Sequence, residues 1–105
     1  MKFVLHTVCV SPHVMPLMRC LVTRLGADQV RYVSAEPLMA DRRALGWDDE
    51  NEPWIIDEVS QPDLAKEVLR NAEFLYSGFR EVELFNDRTR RGLFTAYGGE
   101  RLFKP

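Results

Sequence analysis

Apolar and polar positions change rhythm along this chain, switching between short unbroken runs and a repeat of three to four residues. Residues 2–10, KFVLHTVCV, are apolar and β-branched without strict alternation. That is the pattern of a strand covered on both faces, as parallel sheets require. Next, Val14, Leu17, Met18, Leu21, Val22 and Leu25 recur at helical spacing, and Gly26 supplies a stop. Pro16 locates the start of this helix. With Ser11 as the cap, its ring would strike a carbonyl already in the helix. With the cap near His13 it lies in the first turn, where its missing N–H costs nothing. Residues 29–35 predict a second strand, 37–47 a short helix ending at Gly46, 48–53 (DDENEP) a solvated acidic loop, and 54–60 a third strand. Another helix follows at Pro62, with Ser60 as its cap and Leu64, Val68, Leu69 and Ala72 on its buried face. Residues 73–79 predict a fourth strand, 80–92 a further helix, and 93–97 a fifth strand. Arg88, Arg90 and Arg91 read as a solvated last turn favoured by the helix dipole, closed by Gly92.

Strands alternating with helices through short connections imply right-handed crossovers and a doubly wound sheet. The expected fold is α/β: three-layered and Rossmann-like, with a mostly parallel, roughly five-stranded sheet in order 3-2-1-4-5. At 105 residues there is room for one such domain, residues 1–105. The charge is nearly balanced, 14 Lys and Arg against 16 Asp and Glu, so neither nucleic acid nor an anionic membrane is an expected partner. Cys9 and Cys20 fit no CxxC pattern and sit among apolar residues. They read as small hydrophobes in a reduced, cytoplasmic setting. His6 interrupts the opening apolar run and no small-residue cleavage site follows, so no signal peptide is read. No stretch approaches the roughly 20 apolar residues of a membrane helix.

In open parallel sheets, ligands bind beyond the carboxyl ends of the strands, where strand order reverses. Here that place is the turn after the first strand, which would gather Ser11, His13, Ser34, Glu36, Ser77, Gly78 and Arg80. Neither GxGxxG nor a P-loop is present, and Pro12 and Val14 would block the close backbone approach of a pyrophosphate. A bound dinucleotide is not expected. His13 is the sharpest candidate, because a helix N-terminus favours the neutral imidazole, able to accept a proton. Its plainer role is a capping or loop histidine. Glu36 can accept from ribose or polyol hydroxyls, or can cap the helix opening at Pro37. Arg80 can grip a phosphate or carboxylate with its planar fork, or pair with Glu81 or Glu83. His6 reads as a core residue with a satisfied ring nitrogen. Two histidines without a third ligand make no zinc site. Trp47 and Trp54 read as anchors of the acidic loop.

Together, SPHVMPLMRCL, SAEPLMADRRALGW, SGFRE and RRGLFTAYGGERLFKP resemble segments near the start of bacterial GT-B-type glycosyltransferases of the cell-surface polysaccharide kind. In that family the segments read as a Ser/Thr-Pro-His turn, a Glu-Pro followed by Leu-Gly-Trp, and a closing Glu-Arg-Leu-Phe-Lys. The similarity runs over nearly the whole chain. It implies an enzyme of two Rossmann-like halves, the N-terminal one carrying a glycan or lipid-linked acceptor and the C-terminal one the nucleotide-sugar donor. Transfer would occur in the cleft between them, with no obligatory metal and no other cofactor. Carried onto this sequence, Ser11, Pro12 and His13 form the cleft-facing turn, with His13 orienting or deprotonating the acceptor hydroxyl. Glu36, Glu100 and Arg101 are further motif residues, and Gly98 and Gly99 depart from the pattern as a more flexible pair. The resemblance is compatible with a peripheral position at the inner face of a membrane. The expectation is an N-terminal half, inactive alone, that self-associates through Leu102 and Phe103.

The alternative is a stand-alone flavodoxin-like binding or interaction module. A phosphoacceptor receiver would need paired acids after the first strand, and a flavin site a Ser/Thr-rich loop; SPHVMP supplies neither. A domain with no small-molecule site would be favoured by a crevice closed by Met15 and Met18.

Overall fold

A computed structural model describes residues 1–8, 10–36 and 52–98. Its centre is strand β1 (Phe3–Thr7), in which the consecutive residues Val4, Leu5 and His6 are all buried. Neighbouring strand residues point to opposite faces, so such burial needs a cover on each side. β2 (Val30–Ser34), β3 (Ile55–Asp57), β4 (Phe74–Ser77) and β5 (Phe94–Tyr97) complete a five-stranded sheet. All pairings are parallel and the order is β3-β2-β1-β4-β5, the Rossmann-like arrangement expected.

Helix α1 (Met15–Leu25) covers one face, where Met15 and Met18 meet Leu5, Val30, Tyr32 and Trp54. Helices α2 (Pro62–Asn71) and α3 (Val82–Arg90) cover the other. There Ala65, Val68 and Leu69 pack on Val4, Val33, Ile56 and Leu75, with Leu84 and Phe85 at the margin. On the α1 side the rings of Phe3, Phe74 and Phe94 stack at 5.3 and 4.7 Å, running out to an exposed Phe94 at the β5 edge. Among the described residues no helix is long and apolar enough to cross a membrane.

Both helical stripes are turned relative to expectation. Leu17 is 58% exposed while Met15 is buried, and Leu64 is 42% exposed while Ala65 is buried. A stripe wider than about 100° offers more apolar positions than one docking line can cover, and the crossing angle chooses which margin is left out. The caps also move. α1 is capped by Val14, one residue beyond His13, with Pro16 in its first turn. α2 is capped by Gln61 and not Ser60, whose hydroxyl instead donates to the Asp57 carbonyl at 3.3 Å. Gly26 and Gly92 end α1 and α3 with φ of 97° and 76°, values that favour glycine.

Two further expectations are corrected. Cys20 is exposed, because it falls on the outer side of α1. Arg88 is fully buried and not solvated, since α3 docks its last turn against α2 and β5. Gly98, which looked like a departure toward flexibility, has a steric reason: a Cβ there would lie 1.9 Å from the Tyr76 hydroxyl oxygen. Trp54 is buried, as an anchor should be. Cys9, the helix read over 37–47 with Trp47, most of the acidic loop, and Glu100, Arg101, Leu102 and Phe103 lie outside the described residues.

Candidate functional site

The strand register lines up the carboxyl ends. Thr7 stands beside Ser34, His6 beside Ser77, Ser34 beside Asp57 and Ser77 beside Tyr97. The loops leaving these strands stay adjacent for one more step. Ala35 N–H donates to Thr7 O, Glu36 N–H to Val8 O at 2.7 Å, and Gly78 N–H to His6 O at 2.7 Å. The exits of β1, β2 and β4 are therefore stitched side by side at the point where strand order reverses.

On the α1 face the exit of β1 is held by Tyr32. Its buried hydroxyl shares a 2.9 Å hydrogen bond with that of Thr7 and accepts the Ser11 N–H at 3.1 Å. Ser11 Oγ in turn accepts the His13 N–H at 3.2 Å, shaping the turn ahead of α1. His13 itself is exposed, outside the helix. Glu36 and Arg80 are exposed too, and the pairing of Arg80 with Glu81 or Glu83 does not form among the described residues. Ser34 and Ser77 are buried. Their hydroxyls donate to the carbonyls of Glu36 and Phe79, so they set the paths of the two loops that carry Glu36 and Arg80. The structure thus brings Ser11, His13, Ser34, Glu36, Ser77 and Arg80 to one end of the sheet, with Ser34 and Ser77 beneath the surface.

On the opposite face His6 is the core residue with a satisfied ring nitrogen that was expected, but the carboxylates grouped around it were not read from the residues. The ring of His6 is completely buried, with Nε2 2.8 Å from Glu58 Oε1. Glu58 is a carboxylate acceptor, so Nε2 carries the donated proton and Nδ1 the lone pair. Among the described residues Nδ1 has no hydrogen-bond partner, and the nearest carboxylate oxygen is Glu81 Oε1, 3.9 Å away. Phe79 lies against the ring at 4.5 Å between centroids. The two carboxylates, each about one-third exposed, line a cavity of ≈ 670 Å³ between α2 and α3. Lys66, Arg70, Glu83 and Asp87 also line it. Burial raises the Asp87 carboxyl, but hydrogen bonds from Arg91 and Arg70 and their charges outweigh it and hold the group below its ordinary range.

The signal that marks this group is a histidine inside an otherwise buried apolar run: it must find a partner. The partners stand just past β3 and ahead of α3, 52 residues on in the case of Glu58, so spacing alone could not identify them. Among the described residues no set of three metal-ligating side chains could hold an ion. No protein-family model, curated protein or solved structure matches the chain.

Proposed function

We propose that this chain is the acceptor-side domain of a glycosyltransferase that moves a sugar from a nucleotide-sugar donor to a hydroxyl of a glycan or lipid-linked acceptor. One observation carries the reading: at the reversal of strand order, His13, Glu36 and Arg80 are all exposed on loops whose exits are hydrogen-bonded to one another or held by Tyr32. An imidazole, a carboxylate and a guanidinium exposed at the same end of the sheet suit a hydroxyl-rich ligand with an anionic substituent. His13 takes up the proton of the acceptor hydroxyl as its oxygen bonds to the anomeric carbon. The bond from that carbon to the diphosphate breaks, and its electron pair leaves with the diphosphate. Glu36 accepts from neighbouring hydroxyls, and Arg80 holds an anionic group of the acceptor. Ser11 and Ser77 keep the two loops in place, and Glu100 and Arg101 belong to the same proposal as motif residues. The donor is held by a second domain.

A second reading, a domain with no small-molecule site, draws on Met15 and Met18, which are 1% and 0% exposed and fill the space under α1. Amide chemical-shift mapping of the chain separates the two. A panel of glycosides should shift Ser11, His13, Glu36 and Arg80, with affinity about tenfold lower in Arg80→Ala, the effect of one lost charged hydrogen bond. Silence of these amides toward every glycoside, or a response to nucleotide sugar alone, would overturn the acceptor role.

A further inference from the structure

Buried polar atoms are nearly always hydrogen-bonded, and an exception asks for a cause. His6 Nδ1 is such an exception among the described residues. With Nε2–H given to Glu58, the Nδ1 lone pair faces a carboxylate oxygen, two acceptors 3.9 Å apart with no donor between them. The ring is 0% exposed and covered by Phe79, while Val33 and Ser77 flank it on the adjacent strands. A ligand atom cannot reach Nδ1 without displacing these groups. A proton can.

A second proton would turn Nδ1 into a donor, and Glu81 need move only about 1 Å to accept it at normal length. No capping bond has to break for that movement. Glu81 is the cap residue of α3, yet its side chain makes no capping hydrogen bond, and it is 34% exposed. The resulting imidazolium would sit between two carboxylates and against an aromatic ring, with Glu58 and Glu81 as its two acceptors. Among the described residues its register partners on the sheet, Val33 and Ser77, carry no charge. From the helices the remaining charges at the cavity are Lys66 and Arg70 on α2, and Glu83 and Asp87 on α3, with Arg70 and Asp87 paired at 3.4 Å.

We propose that Glu58, His6 and Glu81 form a proton-operated latch at the α2–α3 cavity. When His6 takes up a second proton, one buried imidazolium ties the turn after β3 to the start of α3, drawing together the two carboxylates that line the opening. The latch does not depend on the sugar-transfer reading.

The test is a long-range proton–nitrogen spectrum of the His6 ring, recorded from about pH 8 to about pH 5, where histidine changes charge. Nδ1 should become protonated, and the Glu58 and Glu81 amides should shift in step with it. At the pH where half of the wild-type rings carry the second proton, about a tenth should do so in Glu81→Gln, a tenfold change for one lost neighbouring charge. Glu83→Gln removes the same charge from the same cavity without touching His6, and should leave the fraction within about twofold. The latch is overturned if Nδ1 stays unprotonated until the protein unfolds, if Glu81 does not respond with the ring, or if Glu81→Gln behaves as wild type.

Discussion

Among the described residues two basic side chains are completely buried on one face of the sheet, one near each end of the strands, and their surroundings treat them in opposite ways. Arg88, at the amino ends, donates to Leu69 O at 2.8 Å, Arg70 O at 3.3 Å, Phe94 O at 2.7 Å and Thr95 Oγ1 at 2.8 Å. Leu69 and Arg70 belong to the last turn of α2, whose carbonyls have no partner within their own helix. The guanidinium therefore closes α2 and pins β5 to it. Burial pushes its pKa down, with Asp87 acting against that, and it stays charged regardless. His6, at the carboxyl ends, has one nitrogen bonded and the other bare. A fully satisfied buried network gives rigidity, whereas a half-satisfied one keeps a free energy gap that a proton can close. The first is a fastening and the second a switch.

The largest effect should come from breaking the fastening. Arg88→Ala takes the guanidinium from the Leu69 and Phe94 carbonyls and the Thr95 hydroxyl at once, while Arg91 still holds Arg70 O, and should cost about 3–5 kcal/mol in urea unfolding. A loss under about 1 kcal/mol would mean that water replaces the guanidinium, and the contrast with His6 would fail. A smaller effect is expected from Tyr32→Phe, which removes a buried hydroxyl on the α1 face that ties Thr7 to Ser11. It should cost about 1–2 kcal/mol and speed hydrogen exchange at the Ser11 amide. Unchanged exchange there would show that the turn before α1 is held by other means.

The smallest effect concerns Asp87, which joins the arginine-rich end of α3 to α2 through Arg70 and Arg91. Its folded-state pKa is lowered, so its contribution is present above the unfolded-state value and is lost as pH falls through the folded one. Wild type should therefore be more stable than Asp87→Asn at neutral pH, and the two should converge in acid below about pH 4. Denaturation midpoints measured across that range check the sign. A constant gap would assign the loss to packing and not to charge.

Legibility in the sequence followed the range of the forces involved. The apolar run around Val4 announced a strand covered on both faces, and Pro16, Gly26, Pro62 and Gly92 bracketed helices by steric rules acting within a few residues. Leu17 and Leu64 were misplaced because periodicity defines an apolar stripe while docking selects one line within it. Arg88 looked like a solvated helix end because its partners Leu69, Phe94 and Thr95 lie on other elements. At the candidate site, the gathering of Ser11, Glu36, Ser77 and Arg80 could be read from strand order alone. The burial of Ser34 and Ser77, and the grouping of His6 with Glu58 and Glu81, could not.

By itself, then, the amino-acid sequence determined which of the described segments become strands or helices, their parallel order, and the end of the sheet at which polar loops collect. Those features arise from backbone sterics and hydrophobic periodicity, which are local. The tertiary structure alone decided which buried polar atoms are satisfied and which are left bare. Hydrogen bonds require partners within about 3 Å, and only the assembly of strands, loops and helices around each atom supplies them or withholds them.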